Sequence, residues 1–177
     1  WVGDSARCVL QDPPLGTGHA VLQTESLLRS EADLVLVTYA DMPLLRPETL
    51  KQLVETQSKN PGPITMLTVI TPNPRGFGRV VRDAQGKVQA IVEEAAASPE
   101  QLAINELNVG AYCFRTAWLW DALHRLPVSK KGEYYLTDTV ALAVQSGQPV
   151  ESILCTDLHE TIGITPRLPL AEADAAL

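Results

Sequence analysis

Short apolar runs alternate with amphipathic stretches along the chain, and the two patterns predict different elements. Strands are predicted for five apolar runs: 34–39, 64–70, 88–92, 108–114 and 150–155. Several of these runs are apolar on both alternating faces, which is typical of strands in a covered sheet. Helices are predicted for the stretches between them: 19–29, 47–58, 117–125 and 137–145. This alternation favours an α/β fold with an open, mainly parallel sheet and helices on both faces.

One segment departs from the alternation. Residues 83–87 have the composition of a turn and lie between two short runs of β-forming residues, so 80–88 predicts a β-hairpin inserted in the sheet. The small, polar stretch 95–101 predicts a surface loop in which a short helix begins near Ser98. The Ala-rich, amphipathic segment 168–177 predicts a further helix.

Length and composition limit the class of protein. The 177 residues, 45% of them hydrophobic, predict a single domain over 1–177. No apolar run reaches the length of about 18 residues that a membrane span needs, and the start lacks the pattern of a signal peptide, so a soluble cytoplasmic protein is expected. The net charge of −7 argues against a nucleic-acid surface. The three cysteines form no C-x-x-C pair and are expected to be reduced core thiols.

The first candidate site is the segment 11–20, in which Gly16, Thr17 and Gly18 directly precede a predicted helix. Glycine lets the backbone approach a ligand closely, and a helix start offers unpaired N–H groups to an anion or a polar base. The alternative is a tight turn in which Thr17 or Gly18 lies near the N-cap of the helix.

The second candidate is Asp41, which follows the apolar run 34–39. In open α/β sheets ligands bind beyond the carboxyl ends of the strands, and a carboxylate there can hold Mg²⁺ beside nucleotide phosphates. The alternative is that Asp41 only caps the turn into Met42 and Pro43.

The third candidate is the turn around Gly76 and Gly78, which lies between Arg75 and Arg79. Amides exposed by glycine, together with two guanidinium groups, suit a sugar or its phosphate. The alternative is a bulge at the start of a strand with solvated arginines.

Further polar residues lie where predicted elements begin or end. Glu93 and Asn108 lie at strand edges that face loops, where they can hydrogen-bond sugar hydroxyls and an acetamido group; the alternative is that both are ordinary polar loop residues. Tyr134 and Tyr135 come just before Thr137, which gives an aromatic wall beside a hydroxyl that could cap a helix. At least one of the two tyrosines is expected in the core. The histidines show no ligand spacing and no Ser-His-Asp order is suggested, which disfavours nucleophilic hydrolysis.

The motifs resemble one family when they are taken together and in order: Q-x4-G-T-G-H-A, Y-A-D-x-P-L, G-F-G-R, I-V-E-E, E-L-N-V-G and G-E-Y-Y-L-T-D. They are similar to the uridylyltransferase domain of the bifunctional bacterial nucleotidyltransferases that make UDP-N-acetylglucosamine for the cell wall. The resemblance covers about residues 9 to 167. It implies a Rossmann-like nucleotidyltransferase sheet and a cytoplasmic enzyme of peptidoglycan synthesis.

The resemblance also implies a role for each matching residue. The nucleotide would be bound by Gln11, Gly16 and Thr17. The N-acetylglucosamine phosphate would be bound by Gly78, Glu93, Asn108, Tyr135 and Thr137. Asp41 would be the catalytic carboxylate and would bind Mg²⁺, and Thr165 stands where the family has asparagine as a second metal ligand.

The implied reaction joins UTP to N-acetylglucosamine 1-phosphate and gives UDP-N-acetylglucosamine and pyrophosphate. Such chemistry requires mainly positioning and charge neutralisation. The implied partners are these small molecules, and neither nucleic acid nor a membrane is expected to bind. A homo-oligomer is a further possibility for a full-length protein.

Two departures from the family pattern concern the ends of the chain. The family's N-terminal glycine-rich loop, which cradles the triphosphate, is not matched, so 1–177 is expected to be a truncated domain with impaired turnover. No hexapeptide-repeat acetyltransferase domain is matched either. The alternatives are a non-catalytic domain that binds a sugar nucleotide and a related transferase for another sugar or base.

Overall fold

A computed structural model of the chain describes residues 6–74 and 76–163. The strands in these residues are β1 (Leu34–Val37), β2 (Ile64–Ile70), β3 (Arg79–Arg82), β4 (Val88–Val92), β5 (Glu106–Arg115) and β6 (Val150–Cys155). The helices are α1 (Thr17–Leu22), α2 (Glu25–Leu28), α3 (Pro47–Lys59), α4 (Pro99–Leu102), α5 (Thr116–Leu123) and α6 (Asp138–Gln145). The α/β class is therefore confirmed. The predicted helix at 168–177 lies outside the described residues.

The six strands form one open sheet in the order β4-β3-β5-β2-β6, with β1 also paired to β5. Strand β2 follows one edge of β5 over most of its length. The opposite edge of β5 is shared by two strands, because β1 pairs with residues 112–115 and β3 pairs with Leu107. The central strand therefore has a full-length neighbour on one side and two shorter neighbours, end to end, on the other.

The expectation of a mainly parallel sheet is wrong for the pairings in the described residues. Strands β1, β2, β3 and β6 share one direction, but β5 runs against them, so β2 with β6 is the only parallel pair among the described strands. The hairpin is the reason. Its tight turn reverses the chain between β3 and β4, and the connection through α4 carries that reversed direction into β5.

Each face of the sheet has its own hydrophobic core, as successive side chains of a strand point to opposite faces. In β2, Ile64 and Met66 belong to one cluster, whereas Leu67 and Val69 belong to the other. The first cluster is completed by α5 and α6, which contribute Leu119, Trp120, Leu123, Val140 and Ala143. The second is completed by Leu53 of α3. Helices on both faces are thus confirmed.

The predicted hairpin is confirmed, with β3 and β4 antiparallel. The Asp83 carboxylate holds its turn by accepting hydrogen bonds from the backbone N–H groups of Gln85 and Lys87, both at 2.9 Å. The short helix expected near Ser98 is α4, where Ser98 and Gln101 form a capping box.

The helix predicted at 19–29 is two helices, α1 and α2, separated at Gln23 and Thr24. The Thr24 hydroxyl donates to the carbonyl oxygen of Val21 at 2.7 Å, and such local bonding competes with a continuous helix.

The cysteine expectation holds for two of the three residues. Cys113 and Cys155 are buried, and burial raises the pKa of the Cys113 thiol to about 11. Cys8 is exposed, which corrects its assignment to the core. Among residues 6–74 and 76–163, no helix combines the length and apolar character that crossing a bilayer requires.

A bulge interrupts β5 at Gly110. The register between β2 and β5 shifts between Met66 and Thr68, opposite this point, and Gly110 has φ 89°. A Cβ atom at Gly110 would lie 2.3 Å from the ring of Tyr39. The bulge therefore requires glycine for two reasons, the left-handed backbone and the ring packed against it.

A comparison of Gly110→Ala with Gly86→Ala separates the effect of the left-handed backbone from the effect of the packed ring. Gly86 has nearly the same φ, 79°, but a Cβ atom there would meet nothing within 4 Å. We expect Gly86→Ala to lower the free energy of unfolding by about 1 kcal/mol through backbone strain alone. Gly110→Ala should cost about 2 kcal/mol more because the Tyr39 ring must move. Urea denaturation of both variants measures the difference, and equal losses would show that the ring contact contributes nothing.

Candidate functional site

The candidate site lies where β1 and β3 leave a gap along the shared edge of β5. Strand β1 ends at Val37, and the chain then carries the Tyr39 ring onto Gly110 of β5. Strand β3 begins just beyond the gap, where Asn108 N–H donates to Gly78 O at 2.9 Å. Loops from several elements converge on this gap.

The glycine loop before α1 is docked onto the segment 134–136. Gly18 N–H donates to Tyr134 O, and Tyr134 N–H donates to Leu15 O, both at 2.8 Å. A Cβ atom on Gly16 would lie 2.7 Å from Tyr134 O, and one on Gly18 would lie 2.3 Å from Leu126 Cδ1. The two glycines are therefore needed for this close docking.

Thr17 and Gln11 fix the same loop through their side chains. The Thr17 hydroxyl accepts from Leu136 N–H at 3.0 Å. The Gln11 side-chain N–H₂ group donates to Gly16 O at 2.9 Å and lies 3.0 Å from Nδ1 of His19. The structure thus brings together Gln11, Gly16 and Thr17, the three predicted nucleotide-binding residues.

The helix start agrees with the expected turn in which Thr17 or Gly18 lies near the N-cap, because Thr17 is the first residue of α1. Gly16 is the N-cap of α1, and no side chain caps this helix end. The N–H of Gly18 is bonded to Tyr134 O, so it is not one of the unpaired N–H groups that a helix start offers. The loop is held in place by contacts with another part of the chain.

Four of the predicted sugar-binding residues form a second group. The Thr137 hydroxyl donates to Glu93 Oε1 at 2.9 Å, and a Cβ atom at Gly78 would lie 3.7 Å from Glu93 Oε2. Asn108 joins the group through its bond to Gly78. Two expectations are corrected here. Asn108 is buried inside β5 and does not face a loop, and the Thr137 hydroxyl bonds Glu93 and does not cap α6.

A cleft of about 690 Å³ opens beside this group and is lined by Glu93 and by Tyr135, the fifth predicted sugar-binding residue. Lys130, Lys131 and Asp138 line it as well. Burial, and then the neighbouring Glu93 carboxylate, raise the pKa of Asp138 above its usual value. Tyr134 instead packs against the core, as expected for one tyrosine of the pair.

Tyr39 lies between the two groups and was not among the predicted site residues. Burial raises the pKa of its phenol, and the charge of Glu93 raises it further, while a hydrogen bond with Thr17 lowers it and Asp41 adds a smaller upward effect. The phenol therefore lies near both groups and near Asp41. A usable signal was Gly110 in the middle of an apolar strand, since such a glycine often marks a bulge or a close approach.

Asp41 lies four residues after the end of β1 and is partly exposed, beyond the carboxyl end of that strand as predicted. A Cβ atom on Gly163 would be 3.8 Å from Asp41 Oδ2. Thr165 lies outside the described residues. Within the described part of the chain, no three His, Cys, Asp or Glu side chains are grouped to hold a metal ion.

Arg79 is not available to a ligand. It is 2% exposed, and its guanidinium pairs with Glu94 at 2.9 Å and also donates to Phe77 O. Arg79 therefore ties the start of β3 to the loop after β4. Arg75 lies outside the described residues.

The chain belongs to the nucleotidyl transferase family, which it matches over residues 3–163. Among curated proteins it is 41% identical over 170 residues to the bifunctional protein GlmU of Shouchella clausii, covering 96% of this chain and 37% of that protein. It is 42% identical over 177 residues to the bifunctional protein GlmU of Heliobacterium modesticaldum, covering 99% of this chain and 39% of that protein. The chain thus spans under two fifths of the length of these relatives.

A solved structure supports the fold. A Bacillus anthracis protein assigned as a glucose-1-phosphate thymidylyltransferase superposes with a TM-score of 0.73 over 94% of this chain and 62% of its own. The sequence identity is 18%, so this likeness concerns the architecture alone.

Thr17→Val tests whether the hydroxyl holds the glycine loop. Valine keeps the shape but leaves the Leu136 N–H without its acceptor, so the free energy of unfolding should fall by about 1–2 kcal/mol. Thr17→Ser retains the oxygen and should lose less than half as much. Urea denaturation measures both, and an equal loss in the two variants would show that the hydroxyl bond is not the cause.

Proposed function

We propose that this chain forms the substrate site of a Mg²⁺-dependent uridylyltransferase, which joins UTP to N-acetylglucosamine 1-phosphate and releases pyrophosphate. The observation that carries the proposal is the position of Tyr39, whose ring packs on Gly110 of β5 and lines a pocket together with Thr17 of the glycine loop. Gly110 N–H bonds Asn108 of the second group, and Asp41 follows two residues after Tyr39. The similarity to the GlmU proteins over nearly the whole chain supports the same reaction.

The glycine loop is proposed to hold the nucleotide. The side-chain N–H₂ group of Gln11 is occupied by Gly16 O, so its Oε1 atom is oriented away from the loop and can accept a hydrogen bond from the uracil N3–H. The Thr17 hydroxyl is held by Leu136 N–H and the open side of Gly16 faces Tyr134, so the opposite side of this backbone is proposed to lie against the flat base. The docking of this loop onto 134–136 keeps it in one conformation before any ligand arrives.

The group around Glu93 is proposed to hold the sugar. The bond from Thr137 fixes the orientation of the Glu93 carboxylate, leaving Oε2 to accept from sugar hydroxyls. Asn108 can donate to the carbonyl of the acetamido group, because its Oδ1 atom already accepts from Gly110 N–H at 3.3 Å. Gly78 is proposed to contact the sugar through its backbone, and Tyr135 provides an aromatic wall in the cleft that Glu93 lines.

The site of Asp41 fits Mg²⁺, since this ion is commonly bound by one or two carboxylates together with substrate phosphates. Asp41 would hold it, and Thr165 is proposed as a further oxygen ligand. When bound, the ion would neutralise charge on the phosphates. A phosphate oxygen of the sugar phosphate forms a bond to the α-phosphorus of UTP, and the bond from that phosphorus to the pyrophosphate oxygen breaks. The residues of the chain position the two substrates for this in-line displacement.

Asp41→Ala should lower the Mg²⁺-dependent turnover of the intact protein by about 100-fold or more, because the carboxylate that neutralises the phosphate charge is lost. The measurement is pyrophosphate release from UTP and N-acetylglucosamine 1-phosphate. Asp33→Ala is the matched control, since Asp33 is exposed and lies at the other end of β1. Unchanged turnover in Asp41→Ala would remove Asp41 from the site.

Calorimetry together with the pyrophosphate-release assay discriminates the alternative functions. Binding of UDP-N-acetylglucosamine in calorimetry without any turnover in the intact protein would support a non-catalytic binding domain. Turnover with another sugar phosphate or nucleotide, faster than with this pair, would replace the proposed substrates.

Thr165→Asn should lower the Mg²⁺ concentration that gives half-maximal turnover, by about threefold or more, if residue 165 binds the ion. The reason is that a side-chain amide oxygen reaches further than a threonine hydroxyl and is a better donor to Mg²⁺. A metal titration of the intact protein measures the change. An unaltered midpoint would show that residue 165 does not face the ion.

A further inference from the structure

One buried carboxylate has no place in the proposed binding groups. Glu160 is 5% exposed, and with Arg79 it is one of two charged residues that are buried in the described part of the chain. It lies in the 3₁₀ turn Leu158–Thr161. Burying a carboxylate is costly unless it gains strong partners, so its contacts indicate its role.

Glu160 contacts Arg46 through both carboxylate oxygens. Its Oε2 accepts from the backbone N–H of Arg46 at 3.0 Å, and its Oε1 is 4.0 Å from Arg46 Nε. Arg46 is the N-cap of α3, where no side chain of the helix itself provides a cap. Glu160 therefore caps α3 from a distant part of the chain, at the end of the helix where a negative charge is favoured.

This contact connects two short segments. One runs from Asp41 to Arg46, and the other runs from Glu160 to Gly163. At one end the segments meet through Glu160 and Arg46, and at the other end a Cβ atom on Gly163 would be 3.8 Å from Asp41 Oδ2 and 4.0 Å from Asp41 O. Met42 and Ile162, between these ends, are both buried, so neither segment can shift without disturbing the core.

We propose that Glu160 is a positioning residue for the metal site. It joins the segment 160–163 to the segment that begins at Asp41, and it thereby sets the position from which the Asp41 carboxylate is presented to the ion. Glu160 itself does not bind the ion or a substrate. The inference rests on the proposed function, because it assumes that Mg²⁺ binds at Asp41.

The arrangement also explains why the position requires a charged side chain. A glutamine could still accept from Arg46 N–H, but it would lose the attraction to the guanidinium and to the positive end of α3. Asp157 pairs with the same guanidinium, which is 58% exposed, and its side chain also accepts from His159 N–H at the start of the turn that carries Glu160. Asp157→Asn keeps an oxygen acceptor for that N–H and removes only the charge that faces Arg46. It is therefore a matched control on the same arginine.

The test compares Glu160→Ala, Glu160→Gln and Asp157→Asn in the intact protein. For each variant, the Mg²⁺ concentration for half-maximal pyrophosphate release and the thermal unfolding midpoint are measured. We expect Glu160→Ala to raise the Mg²⁺ midpoint about tenfold, as for other residues that orient metal ligands. Glu160→Gln, which keeps the acceptor, should raise it about threefold, and Asp157→Asn should leave it within about twofold of the original protein.

Every other outcome contradicts either the positioning role of Glu160 or the proposed Mg²⁺ site at Asp41. An unchanged Mg²⁺ midpoint in a Glu160 variant whose unfolding temperature falls would show that Glu160 only stabilises the fold. If Glu160→Ala does not fold, Glu160→Gln decides alone, and an unchanged midpoint in that variant overturns the inference. A Mg²⁺ dependence that survives in Asp41→Ala would overturn the metal assignment itself and not the contact between the two segments.

Discussion

Two strands occupy one edge of β5, and the gap between them determines where the candidate site can form. Strand β1 ends and β3 begins along this edge, while β2 covers the opposite edge. The bulge at Gly110 makes room in the gap for the ring of Tyr39, because the Cβ atom of an ordinary residue there would collide with that ring. The loops that follow β1 and precede β3 are thus directed into the same space.

Close backbone contact is the second recurring feature of the site. Gly16, Gly18 and Gly78 each have a neighbour within 3 Å of the position of a missing Cβ atom. Most of the polar groups around them are held by the chain itself, as with Thr17 on Leu136 and Thr137 on Glu93. A site built in this way loses little conformational freedom when a ligand binds.

The sequence predicts the strands and most helices well, because burial on both faces imposes a clear apolar pattern. The residues that the ordered motifs select also lie together in two hydrogen-bonded groups, while their roles stay predictions. The direction of β5 was not predictable, as it depends on how the hairpin turns the chain. Tyr39 was missed for a related reason: its contact with Gly110 depends on a bulge that local composition does not specify.

The bonds between the glycine loop and the segment 134–136 have a thermodynamic consequence. Thr17 and Gly18 are joined directly to Tyr134 and Leu136, the residues on either side of Tyr135. These bonds keep the loop and the segment in one conformation before a ligand arrives, and coupling between two ligands requires a second conformation that one of them selects. A ligand on one side therefore finds nothing to shift on the other, and this contact makes the two sides independent in affinity.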